Sequence, residues 1–174
     1  MLISLQTIQP NVRLGLYTIG GGRAEERRGA AELLKCMLGK AVDIQHNEDG
    51  KPFIKNHHIS ISHCKGYVAI LLSDHHEVGI DIELRSDRVL KIASRFLRED
   101  ESYDKTDDIL EAWCAKEAIY KLQSASHLGY QEMKVDVKKK HVLDLKNAQT
   151  IPYQTIFSED YCMIIAVQPS NENI

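Results

Sequence analysis

Apolar positions recur with two different periods along this chain. Val78, Ile80 and Ile82 alternate with Gly79, Asp81 and Glu83. A period of two predicts a strand, and Asp81 and Glu83 then leave it on the same face. Similar β patterns predict strands over 12–19, 41–45, 58–62 and 67–72, and another starting at 51–54 after the turn Asn47-Glu-Asp-Gly50. Helical spacing takes over at 24–38, where Ala30, Leu33, Leu34, Met37 and Leu38 form a stripe that Gly39 ends. A second helix is predicted over 87–97, with Asp87 as N-cap, Val89, Ile92 and Phe96 inward, and Arg88, Lys91, Arg95 and Arg98 as one basic stripe. A short helix at 99–103 and a long one at 109–124, capped by Asp107, follow. Strands at 133–137, 141–143, 150–157 and 161–167 close the pattern, and 168–174 read as a loose tail. The succession predicts two α/β halves, about 1–75 and 76–174, sharing a single domain.

Composition narrows the class. The chain has 174 residues, 43% apolar and 27% charged, as expected of a folded globular protein. A net charge of −3 argues against a dedicated nucleic-acid binder. The cysteines (Cys36, Cys64, Cys114, Cys162) are far apart and form no C-x-x-C, so they read as buried and reduced in a cytoplasmic protein. The N-terminus has no charged region followed by an apolar run, so no secretory leader is expected. The longest apolar runs, 68–72 and 163–167, are too short to cross a bilayer, and no membrane partner is expected. His57-His58 and His75-His76 are adjacent pairs and read as exposed loops, not metal ligands.

The candidate chemistry lies in the second half. Two carboxylates side by side repel, and a cation between them removes the conflict. Oxygen-only ligands suit Mg²⁺, or Mn²⁺ in its place. On the long helix Trp113, Glu117 and Lys121 are four apart and stack along one face, which makes Glu117 a candidate third ligand. Lys116 and Lys121 beside it suit a phosphate-bearing substrate. Each piece also has an ordinary explanation. Asp81 and Glu83 fit an exposed edge-strand pair, the lysines fit helical salt-bridge partners, Trp113 fits core packing, and the basic stripe fits a solvated face.

Taken together the motifs are more specific. Gly50-Lys-Pro52, Ile61-Ser-His63, Gly79-Ile-Asp-Ile-Glu83, Arg95-Phe96 and Trp113-Cys-Ala-Lys-Glu-Ala-Ile-Tyr-Lys121 occur in order. In this order and spacing they resemble the 4′-phosphopantetheinyl transferase family of the surfactin-synthetase-activating type, over about residues 25 to 137. The resemblance implies an α+β fold of two similar two-layer α/β halves related by a pseudo-two-fold axis, with coenzyme A between them. It implies transfer of the phosphopantetheine arm of coenzyme A to a serine of an apo carrier protein, releasing adenosine 3′,5′-bisphosphate. Asp81, Glu83 and Glu117 match the metal-binding acids. Glu117 is the expected base, directly or through a metal-bound water, and Glu101 is a second candidate. Lys121 matches a lysine on the coenzyme diphosphate, with Lys116 in support. Ser62 and His63 match the pair that reaches the phosphate and nucleotide. Lys51 and Pro52 match the segment beside the adenine, and Arg27 or Arg28 would meet the 3′-phosphate. Cys64 and Cys114 fall at packing positions within these motifs. Carrier proteins of this class are acidic near the modified serine, and the basic stripe would steer them in.

Two other functions remain open on the residues alone. A metal-dependent phosphodiesterase or nuclease also joins carboxylates and a lysine around Mg²⁺, but would want an extended basic groove. A non-catalytic relative would bind coenzyme A or a carrier protein without transfer. The expected state is a monomer, since both halves of the site fall within one chain.

Overall fold

A computed structural model describes residues 1–169. The first half runs β1 (Leu2–Gln9), β2 (Val12–Thr18), α1 (Arg23–Leu38), β3 (Gln45–His46), β4 (Pro52–Phe53), β5 (His58–Cys64) and β6 (Tyr67–Ser73). The second begins with β7 (His76–Leu84), a 3₁₀ turn at Asp87–Lys91, α2 (Ala93–Phe96) and α3 (Thr106–Leu122). It ends with 3₁₀ turns at Ser124–Ser126 and Tyr130–Glu132, then β8 (Met133–Asp136), β9 (His141–Asp144), β10 (Gln149–Pro152), β11 (Gln154–Phe157) and β12 (Tyr161–Pro169). The sheets are antiparallel, in the orders β1-β2-β6-β5, β11-β12-β7, β10-β9-β8 and β3-β4.

The alternation along each strand sorts its side chains into layers. Val68, Ile70 and Leu72 of β6 pack with Leu33, Leu34 and Met37 of α1. Ala69 and Leu71, on the opposite face, pack with Val78, Ile80 and Ile82 of β7 and Met163 and Ile165 of β12. The other face of β12, through Cys162, Ile164 and Ala166, packs on α3. Two helix-on-sheet layers therefore lie back to back, which gives the mixed α/β class the pattern predicts. The β10-β9-β8 sheet adds Met133, Val135, Val142 and Ile151 to the α3 core. As a result α3 is buried on most sides, from Leu110 to Leu122.

Two features fix the surroundings of β7, one toward α3 and one toward β5. Gly79 lies directly beneath the helix: a Cβ there would stand 2.1 Å from the Ala118 carbonyl oxygen, so only glycine allows this approach. Along β5, which lies beside β7, serine hydroxyls take the part of a backbone ladder. The Ile80 N–H donates to Ser60 Oγ at 3.1 Å and the Ile82 N–H to Ser62 Oγ at 3.2 Å.

Several expectations change. Segment 41–45 is unpaired until Gln45, so the strand predicted there is reduced to Gln45–His46. The helix predicted over 87–97 is broken at Ile92, which leaves the helix geometry at φ −113°, ψ −1°, and Ser86, not Asp87, precedes the first turn. The basic stripe breaks with it: Arg88, Lys91 and Arg95 are exposed, and Arg98 turns to Asp100 and the Gln131 carbonyl. Segment 99–103 forms no helix. Asp107 lies inside α3 and pairs with Arg85 at 2.6 Å, leaving Lys105 at the N-cap position. The single strand predicted over 150–157 is two, because buried Tyr153 ends pairing with β9 before Gln154 begins pairing with β12. The tail read as loose from 168 begins inside β12, and 170–174 lie outside the described residues. Cys36 is exposed, unlike the other, more enclosed cysteines, and all are free thiols. His58 and His76 sit in strands, and His57 and His58 pair with Asp74 and Glu77.

Candidate active site

The face of β7 turned to α3 carries Asp81 and Glu83, and α3 returns Glu117 and Lys121 toward it. Asp81 is nearly sealed, its side chain 5% exposed. Its Oδ1 accepts from Lys121 Nζ at 2.6 Å and from Ser62 Oγ at 2.9 Å. Its Oδ2 is buried with no hydrogen-bond partner. The ammonium of Lys121 also donates to Ser62 Oγ at 3.0 Å. Glu83 Oε1 accepts a 3.4 Å contact from the Trp113 indole N–H. Glu117 Oε1 accepts from the Tyr130 hydroxyl at 2.7 Å.

The electrostatics follow from that crowding. Burial pushes the Glu83 carboxyl above its ordinary pKa, and the Asp81 charge adds to the shift, with Trp113 and Lys121 opposing. Burial also raises Glu117; Tyr130 opposes it, Asp81 reinforces it, and Lys121 opposes. Two raised glutamates around an aspartate with an orphaned oxygen form an anionic cluster short of positive charge. Among the described residues, no three His, Cys, Asp or Glu side chains are grouped closely enough to enclose an ion as they stand. The cation beside Asp81 is Lys121. The donor set nonetheless fits a hard divalent ion: it is all carboxylate oxygen, mutually repelling, and holds one buried acceptor without a donor.

The opposite face of β5 meets a different feature. Alternation turns Ser62 to the acids and Ile61 and His63 the other way. Ile61 and His63 line a cleft of about 930 Å³ with Arg23, Glu26, Arg27 and Pro52. Val42, Asp43, Ile44 and His46, around the stretch left unpaired, also line it. The His63 imidazole is half-exposed and lies 3.5 Å from Glu26. Arg27 lines this cleft. Arg28 pairs with Glu25 at 2.6 Å and lines a separate hollow beside Tyr17 and Ile19.

Three residues expected at the coenzyme have other partners. Lys116 is fully buried; its ammonium donates to Glu101 Oε2 at 2.6 Å, the Phe96 carbonyl at 2.7 Å and the Tyr130 carbonyl at 3.1 Å. Burial lowers its pKa, and the Glu101 carboxylate opposes that. Glu101, the second candidate base, accepts from Lys116, from the Arg98 and Val135 N–H groups and from Tyr103. It is enclosed within the fold, its side chain 1% exposed. Lys51 reaches across to Glu77 at 2.9 Å and toward the Leu122 carbonyl at 3.4 Å, tying the first half to the end of α3. Burial, with the nearby Glu83 and Asp81 charges, pushes the Cys64 thiol up to about 12. Burial likewise raises Cys114.

Sequence patterns gave no sign of Tyr130, or of a polar task for Trp113. Tyr130 lies in a short turn thirteen residues after Glu117, outside any helical or strand periodicity. The period of β5 did place Ser60 and Ser62 on one face, but not opposite β7.

The sequence profile described as the 4′-phosphopantetheinyl transferase superfamily matches residues 77–166, which run from β7 into β12 and hold all three acids. The chain is also similar to a curated relative, "4'-phosphopantetheinyl transferase gsp" of Aneurinibacillus migulanus, with 37% identity over 84 residues. That match takes in 43% of this chain and 35% of the relative, so this chain spans about a third of the relative's length.

Proposed function

The chain belongs to the 4′-phosphopantetheinyl transferase superfamily, and from that premise we propose that it transfers the 4′-phosphopantetheine arm of coenzyme A to a serine of an apo acyl or peptidyl carrier protein, releasing adenosine 3′,5′-bisphosphate. One observation supports this most: Glu83 of β7 and Glu117 of α3 both feel the charge of Asp81, one strand away from a cleft of about 930 Å³ with basic residues in its wall.

In this reading Asp81, Glu83 and Glu117 hold Mg²⁺, with Mn²⁺ as a substitute. When bound, the ion offsets charge on the attacked and leaving phosphates. Lys121 exchanges its contact with Asp81 for one with the coenzyme diphosphate. The nucleotide lies in the cleft, with Pro52 beside the adenine, His63 at a phosphate and Arg27 at the 3′-phosphate. Ser62 orients Asp81 from behind. Glu117 takes the proton of the carrier serine. Positioning and charge carry most of such a transfer.

The single-domain, two-half reading belongs with this proposal. Helix α1 on its sheet and α3 on β7 and β12 are the elements a pseudo-two-fold axis would exchange. The carrier protein is acidic and meets the exposed Arg88, Lys91 and Arg95 near the site. The enzyme works as a cytoplasmic monomer, without nucleic-acid or membrane partners. In support, its cysteines are free thiols.

The test is direct. The full chain is incubated with coenzyme A, Mg²⁺ and an apo carrier protein, and the carrier is weighed. One phosphopantetheine should be gained, and none when the metal is chelated. Unchanged mass across acyl and peptidyl carriers would sink the proposal.

A further inference from the structure

We infer that Tyr130 is a positioning residue of this site, setting the carboxylate of Glu117 through its hydroxyl and that of Glu83 through Trp113. The inference rests on the reading of the acids as a divalent-ion site.

Three contacts converge on Tyr130, and a fourth closes the turn that carries it. Its hydroxyl donates to Glu117 Oε1 at 2.7 Å. Its ring packs on Trp113, with centroids 5.4 Å apart, and the Trp113 indole N–H points to Glu83 Oε1 at 3.4 Å. Its carbonyl accepts from Lys116 at 3.1 Å. The turn that carries it is closed by Glu132 Oε2, which accepts from the Gly129 N–H at 2.8 Å. Lys116 is itself immobilised by Glu101 and the Phe96 carbonyl. A rigid path therefore runs from a buried ion pair, through the backbone of Tyr130, to its hydroxyl and to two acids of the site.

The physical consequence is rotamer control. A half-buried glutamate has three side-chain torsions to fix before it can serve as a ligand. One donor on Oε1 fixes them and leaves Oε2 to face a ligand, because a carboxylate accepts at both oxygens. Such outer partners orient ligands and are typically worth about 10- to 100-fold in metal affinity.

The experiment uses Tyr130→Phe in the full chain, which keeps the ring on Trp113 and removes only the hydroxyl. Mn²⁺ binding is measured by electron paramagnetic resonance without coenzyme, and transfer is measured separately with Mg²⁺. Mn²⁺ affinity should fall about 10-fold, kcat should fall with KM for coenzyme A retained, and the melting temperature should barely move. Tyr120→Phe, an exposed tyrosine on the same helix as Glu117, should change none of these. Wild-type Mn²⁺ affinity in Tyr130→Phe overturns the inference, and so does a wild type that binds no Mn²⁺. If transfer is absent in the wild type but the Mn²⁺ difference is present, the proposed activity falls and the positioning role stands.

Discussion

Two lysines of helix α3 make carboxylate pairs of equal length, Lys116–Glu101 and Lys121–Asp81, each at 2.6 Å. They differ in how completely they are answered. Lys116 and Glu101 have 0% and 1% of their side chains exposed, and each charge is surrounded by further hydrogen bonds from backbone and hydroxyl groups. Lys121 is 28% exposed, and Asp81 keeps one buried oxygen with no donor. A satisfied pair has no capacity left for a ligand, so the first pair is architecture. An unsatisfied pair with a part-exposed cation keeps capacity for a ligand. The degree of satisfaction, more than the presence of an acid and a lysine, separates framework from site in this molecule.

The largest expected effect tests the architectural side. Lys116→Met leaves Glu101 charged and buried, which should cost about 3–5 kcal/mol, read as a large drop in the denaturation midpoint. Asp81→Ala should do the opposite. Its lysine can turn to water, so the melting temperature should change little. Transfer should fall by at least the roughly 100-fold that even an outer partner of a metal ligand can supply. Glu117→Ala should match it. Equal stability losses in Lys116→Met and Asp81→Ala would erase the distinction.

Smaller effects sharpen it. Ser60→Ala leaves the buried Ile80 N–H without its acceptor and should cost about 1–3 kcal/mol in stability, since β5 and β7 are joined there by hydroxyls. The smallest effect has the opposite sign. The folded-state pKa of Glu117 lies above its ordinary 4.5, so the folded chain holds the proton more tightly than the unfolded one. Stability is therefore lost as pH rises from about 4.5 through the raised folded value, and the whole penalty is present above that value. Glu117→Gln should remove it, giving a slightly higher melting temperature at pH 7 and a flatter acid-side stability curve, with transfer lost. A lower melting temperature in Glu117→Gln would show that the charge is already compensated.

Much of this contrast was legible in the residues. The period of two in β7 put Asp81 and Glu83 on one face, and the four-residue spacing in α3 brought Glu117 and Lys121 toward it. Both follow from local geometry. The roles of Lys116 and Glu101 were not legible, because the pairing depends on where the chain goes after Phe96. The predicted helix ends there, and the extended segment behind it carries Glu101 under α3. β1 escaped notice because it is an edge strand with Leu2, Ile3 and Leu5 exposed, so burial never sorts its faces. Arg27 and Arg28 are consecutive in a helix, about 100° apart around its axis; only the path of segment 42–46 decides which of them meets the cleft.

The central claim is that Asp81, Glu83 and Glu117 share one divalent ion once Lys121 has moved aside. Anomalous scattering from crystals grown with Mn²⁺ and coenzyme A tests it most directly. The account predicts a single manganese peak within bonding distance of all three carboxylates, with Lys121 turned to the coenzyme's diphosphate. A crystal with coenzyme bound, no manganese at these acids and Lys121 still on Asp81 would contradict it.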